Sequence, residues 1–235
     1  MLPSLFAVRK AYDGVTDEAI IRKEFEEIVG VNYDAMMALD LPNYVGGNED
    51  CKKNISKRML YNDPFIGVLD STVKAGVTDE YKAHAEYLRT YAIGEYAYLF
   101  ENAAALCDLL SIKYNLGKRT REAYKKQNDD TMSALIEDYK KAETYLDSFY
   151  SAFRKLWFIE NKAQGFEVQD IRLGGLKQRL AHCRSRLTAY KNAEIENIPE
   201  LEEELLDYFG NGKEYSEEMA PACLSWWRSA LVHLM

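Results

Sequence analysis

Residues 160–180 read ENKAQGFEVQDIRLGGLKQRL, and the reading of this stretch decides the fold. Before it, Met132, Leu135, Tyr139, Ala142, Leu146, Phe149, Phe153 and Trp157 recur at steps of three and four; after it, Leu173, Leu176, Leu180, Cys183, Leu187 and Tyr190 do the same. Each series lays one apolar stripe along a helix. The stretch is therefore the break between two long helices, and at 1.5 Å per residue each long helix is expected to span roughly 45 Å or more. Its two adjacent glycines could suggest a phosphate loop. Such a loop needs glycines ahead of the helix, with backbone N–H groups converging on the anion, whereas Gly174 and Gly175 fall inside the second stripe.

A glycine in a helix interior costs roughly 0.5–1 kcal/mol relative to alanine, so the pair predicts that a neighbouring segment approaches closely there. Asp170 and Arg172, two residues apart, do not face each other on a helix, so each finds its partner elsewhere. Flanked by Val168, Ile171 and Leu173, both are expected to be largely buried, each in a charge-assisted hydrogen bond to this domain or to a face that another domain covers. Gln169, Asp170, Arg172, Gly174 and Gly175 form the candidate site, read as a structural or interdomain lock. No residue is assigned a catalytic, cofactor-binding or metal-binding role.

Working outward, Thr16 caps a helix over about 17–29 that Gly30 closes, and a shorter helix follows around Tyr33 to Leu39. Pro42 and NYVGGNEDCKKN mark a loop, and YNDPFIG (61–67) a turn around Asp63-Pro64. From Thr78, a stripe through Tyr81, Ala85, Leu88, Ala92, Tyr96, Leu99, Ala103 and Leu110 predicts one long helix ended by Gly117. Its second half, YAYLFENAAALCDLL, is apolar on nearly every side, as in a helix covered by neighbours. Thr120 to Lys126 adds a short turn of helix, and IPELEEELLDYF a last helix begun at Pro199. The expected fold is all-α: an antiparallel bundle of long helices over 78–235 with a looser helical region over 1–77, together one compact unit.

Composition narrows the chemistry. Thirty Lys and Arg against 38 Asp and Glu give 235 residues a net charge of −8, which argues against nucleic acid or an anionic membrane as the main partner. Cys51, Cys107, Cys183 and Cys223 stand far apart without a CxxC pair, so neither a zinc site nor a disulfide framework is expected. No stretch of 18 apolar residues occurs, and the expectation is a soluble, cytoplasmic chain without cofactor. The carboxylate pairs Asp17-Glu18 and Asp79-Glu80 both sit in VTDE after a capping threonine, where helix capping explains them. His84, His182 and His233 lie singly, and Cys107 and Cys183 fall in apolar stripes as small hydrophobes. Lys177, Arg179, Arg184, Arg186 and Lys191 form a basic flank expected to be solvated or to pair with Glu200, Glu202, Glu203, Glu204 and Asp207. Trp226 and Trp227 could stack on a sugar, but one of them is more simply a tail anchor.

The string WFIENKAQGFEVQDIRLGGLKQRLAHCRSRL (157–187), together with LYNDPFIGVLD (60–70), YAYLFENAAALCDLL (96–110) and IPELEEELL (198–206), resembles the helical C-terminal region of a bacterial subgroup of family 20 glycoside hydrolases. The opening LPSLFAVRKAYDG is similar to the last barrel helix that leads into that region. The family's exo-acting β-N-acetylhexosaminidases use an Asp-Glu pair, in a Gly-Gly-Asp-Glu context at a barrel strand end, with the substrate's acetamido group as nucleophile. The nearest text here, GGNED at 46–50, has an inserted Asn and the acids reversed, and a (β/α)₈ barrel needs about 200 residues or more of alternating strand and helix. The resemblance thus implies a non-catalytic accessory domain whose partner is the catalytic barrel of the same polypeptide. A rival reading is a stand-alone helical module that binds a partner helix or peptide.

Overall fold

The computed structural model describes residues 12, 14, 17–48 and 54–205. Among these, every regular element is helical and none is a strand. The chain divides into two compact units, 1–41 and 42–235.

In the first unit, α1 (Glu18–Val29) begins at Asp17, whose carboxylate accepts from the Ala19 N–H at 2.9 Å, and ends at Gly30 in the left-handed region. Thr16, expected to cap, lies outside the described residues. The helix α2 (Tyr33–Met37) is tied back by Glu26, which accepts from the Tyr33 N–H at 2.9 Å, and by the edge-on contact of Phe25 with Tyr33.

The second unit carries α3 (Ile55–Tyr61), α4 (Val77–Thr90), α5 (Ala97–Lys113), α6 (Leu116–Lys126), α7 (Asp129–Glu160), α8 (Phe166–Lys191) and α9 (Pro199–Glu202). The helix α7 partners α8 through Glu143 with Arg184, Asp147 with Lys177, Tyr150 with Asp170 and Phe153 with Phe166. One number rises as the other falls, so the two run antiparallel. Met132, Leu135, Tyr139, Ala142, Leu146 and Phe149 of α7, and Leu173, Leu176, Leu180, Cys183 and Leu187 of α8, are buried as their spacing predicts. Against α7 lies α5, which buries Phe100, Ala103, Ala104, Cys107, Leu109 and Leu110, and α4 packs against α5. This is the all-α antiparallel bundle.

Three expectations are corrected. The long helix expected from Thr78 is two helices, because the chain reverses between Tyr91 and Tyr96, where Gly94 takes φ of 76°. Gly117 does not end a helix; it lies one residue inside α6, where a Cβ would stand 2.8 Å from the Pro64 carbonyl oxygen. Thr78 caps nothing, since α4 starts at Val77 behind Gly76.

Candidate functional site

The GFEVQDIRLGGL segment forms the first turns of α8. Gly165 precedes the helix, and a Cβ there would stand 3.3 Å from the Trp157 ring, so the loop turns tightly over the end of α7. Phe166 is buried against Tyr150, Phe153, Trp157 and Phe158. That aromatic cluster fixes where α8 begins and hence which of its sides faces outward.

Within this domain, the residues of the expected lock are not all buried. Asp170 is exposed, and its carboxylate accepts from the Tyr150 hydroxyl at 2.7 Å, a bond at the surface and not a buried one. Arg172 and Gln169 are half-buried. A Cβ on Gly174 would meet nothing within 4 Å, and Gly175 is half-buried. The physical reason is a face assignment. Val168 and Ile171 do not pack inward as their apolar character suggested; Leu173 and Leu176 take the core side, leaving Ile171 68% and Val168 39% exposed.

They are not isolated. Among the described residues of the second unit, the exposed large apolar side chains are Tyr87, Ile93, Phe158, Ile159, Val168 and Ile171. All lie at the end of the bundle where α4 turns into α5 and α7 into α8. Tyr98 donates to Glu160, and Lys155 pairs with Glu101 at 2.7 Å, which brings the two turns to the same end. Contiguous exposed apolar surface of this kind marks an interaction face more often than a solvated one.

A second region, around the middle of α8 where Arg179 lies, is built from charge. Asp63 accepts from the Phe65 and Ile66 N–H groups at 2.9 and 3.0 Å, closing the expected turn, and is gripped by Arg179 at 2.6 and 3.1 Å. Burial alone would raise the Asp63 carboxyl; the Arg179 hydrogen bonds and these N–H groups outweigh it and hold it below the ordinary range. The Lys113 ammonium, buried, donates to the Met59 and Asn62 carbonyls at 2.9 and 2.7 Å, and burial pushes its pKa down to about 8. Asp70 accepts from the Asn62 amide at 2.9 Å, while its other oxygen, buried, finds no donor among the described residues, and burial pushes the carboxyl up to about 6. Arg121 donates to the Phe65 carbonyl, to Leu201 at 3.1 Å and to Glu203 at 3.2 Å.

Sequence reasoning missed this assembly of Asp63, Asp70, Lys113, Arg121 and Arg179. One signal was present: Lys113 sits in LLSIKYNL, where a charged residue inside an apolar run has to be satisfied internally. The basic flank is also redistributed. Arg186 reaches Glu200 at 3.4 Å as expected, but Arg179 goes to Asp63, Arg184 to Glu143 at 2.6 Å and Lys177 to Asp147 at 2.7 Å. The carboxylates nearest these cations lie on α7 and in the 61–67 turn, so the flank fastens the bundle and not just α9.

Chemistry at these groups has little room. Burial pushes the Cys107 and Cys183 thiols up to about 12, which leaves no thiolate at neutral pH. Among the described residues, no group of three or more His, Cys, Asp and Glu could hold a metal ion. His182 is exposed, His84 is half-buried, and His233, Trp226 and Trp227 lie outside the described residues. Gly46 and Gly47 of GGNED turn in a loop with positive φ and no strand before them. Among the described residues, no helix is long and apolar enough to cross a membrane.

A helical unit whose charged groups fasten it internally, and whose exposed apolar residues gather at one end, has the anatomy of an accessory module of a larger protein. The chain belongs to the Glycoside Hydrolase 20C C-terminal domain family, whose model matches residues 33–220. A domain of this family is the non-catalytic C-terminal part of a glycoside hydrolase and shares its polypeptide with the catalytic domain. No curated protein matches the chain.

Proposed function

We propose that this domain packs against the catalytic (β/α)₈ barrel of its own polypeptide and stiffens it, using the open end of the α4–α5 and α7–α8 hairpins as the contact. The observation that carries this reading is the gathering of Ile93, Phe158, Ile159, Val168 and Ile171 on that end, exposed in a unit whose part-buried Arg179–Asp63 ion pair is satisfied internally. Burial of apolar surface contributes about 25 cal/mol per Å², so a patch of a few large side chains contributes several kcal/mol toward docking once covered. On this reading the candidate residues Gln169, Asp170, Arg172, Gly174 and Gly175 act as an interdomain lock.

The test uses the full-length enzyme. Ile171→Asp is expected to uncouple the two domains, so that they melt in separate calorimetric transitions and protease cuts between them. A single coincident transition in the variant would sink the docking reading. The 235-residue chain alone is expected to release no product from an aryl β-N-acetylglucosaminide, and turnover that survives rigorous purification would overturn the accessory role.

A further inference from the structure

Between α7 and α8 runs an open groove of about 240 Å³. Its α8 wall is made of Asp170, Leu173, Gly174 and Lys177, and Leu146 and Tyr150 stand opposite on α7. The four α8 residues have the spacing i, i+3, i+4, i+7. That is the diamond into which one side chain of a facing helix inserts when helices pack knobs into holes.

The floor of the diamond is Gly174, and its surroundings differ from those of Gly117, a helix-interior glycine elsewhere in the unit. At Gly117 the absent side chain makes room for the Pro64 backbone of this same unit. At Gly174 a Cβ would meet nothing within 4 Å, so no described residue uses the space that the glycine leaves. A helix-interior glycine destabilises the helix relative to alanine, and here nothing inside the described domain offsets that. The space is open to a group from outside the described residues.

Charge narrows it further. Asp147 is neutralised by Lys177 at 2.7 and 2.8 Å, whereas Asp170 is met by the uncharged Tyr150 hydroxyl, so of the two exposed rim carboxylates Asp170 is the one without a cationic partner among the described residues. The geometry points to a helix-in-groove contact: a helix of the catalytic domain lies along α7 and α8, an apolar knob of leucine size or larger fills the hole over Gly174, and a Lys or Arg beside the knob meets Asp170. The inference rests on the docking reading above. A catalytic barrel suits it, because its outer layer is a ring of helices.

The test again uses the full-length enzyme. Gly174→Leu fills the hole from within, its Cβ meeting nothing within 4 Å, and retention of the parent's helical circular dichroism checks that the variant folds. It is expected to split one calorimetric transition into two and to raise the rate of interdomain proteolysis at least tenfold. Asp170→Asn is expected to raise it a few fold and to remove most of its salt dependence. A benzophenone amino acid at exposed Gln178, one turn beyond Gly174, is expected to capture a peptide from a catalytic-domain helix that contains Lys or Arg. Capture of a second copy, or of residues 206–235, overturns the proposal. If Ile171→Asp splits the transition and Gly174→Leu does not, the groove is not the contact and the docking reading stands; if neither does, both fall.

Discussion

Gly117 and Gly174 both sit inside helices, yet one is pressed by a backbone carbonyl 2.8 Å from where its Cβ would be and the other faces open space. The contrast extends to the surroundings of the two glycines. Near Gly117, the Asp63 turn is fastened to α8 by Arg179, to α5 by Lys113 and to α6 by Arg121, and the glycine is one more concession to close approach. Near Gly174, the same helix α8 shows an exposed carboxylate, exposed Ile171 and an unfilled groove. The domain satisfies its own groups around the Asp63 turn, and among the described residues it leaves the groove beside Gly174 open.

Substitutions in the two regions break or sharpen that contrast. The largest effect is expected for Asp63→Ala. It strands the largely buried Arg179 and leaves two turn N–H groups without their acceptor, at a loss of about 3 kcal/mol, the low end of the range for breaking a buried pair because Arg179 keeps some contact with solvent. The matching change beside the groove, Asp170→Ala, is expected to cost under about 1 kcal/mol, as for an exposed polar contact. Equal shifts in denaturant midpoint for the two variants would dissolve the distinction between the regions.

Second in size is a pH effect confined to the charged region. The folded-state pKa of Asp70, about 6, lies above its unfolded value, so folding favours the protonated form. Its contribution to stability is fully present below about pH 4 and is lost as pH rises through about 6. Asp63 acts in the opposite sense, its contribution being lost as pH falls below the ordinary carboxylate range. Burial depresses Lys113 to about 8, so its contribution is lost as pH falls through that value. Asp70→Asn is expected to remove the slope between pH 4 and 6 and to raise stability at pH 7 by up to about 2 kcal/mol. Urea titrations of parent and variant at pH 4, 5, 6 and 7 check this, and parallel profiles would refute it.

The smallest effects come from the glycines themselves. Gly117→Ala is expected to lose about 1–2 kcal/mol, because the new methyl group must displace the Pro64 backbone and the gain in helix propensity only partly offsets this. Gly174→Ala is expected to gain about 0.5–1 kcal/mol in the 235-residue chain, where nothing resists it. Opposite signs in the two midpoints confirm the contrast, and equal signs remove it.

The fold was legible wherever one helix buried one stripe. Met132 through Phe149 and Leu173 through Leu187 announce α7 and α8 because their contacts repeat with the helix period. The reversal at Tyr91–Tyr96 was hidden because Ala92 and Tyr96 continue the three-four spacing across it, leaving Gly94 as the one local sign. Gly117 was misread because its requirement comes from Pro64, more than fifty residues earlier, and no local pattern carries that information. The candidate site was legible in position and not in environment. QDIRLGG does stand out, but Val168 and Ile171 read as core, and among the described residues nothing covers them. Asp63, Arg179 and Arg121 were beyond local reading altogether, since what unites them is the path of the chain.

That path has a kinetic consequence. The α4–α5 and α7–α8 hairpins join residues close in sequence, which form early because closing a short loop sacrifices little chain entropy. Arg121 instead gathers carbonyls of Phe65, Leu201 and Glu203, and Arg179 reaches back to Asp63, so these clasps close only after the hairpins have met. Late contacts weigh little on the rate of folding and heavily on the rate of unfolding. The polar region is thus the latch that sets how long a folded molecule lasts, while the hairpins set how quickly a new one is made.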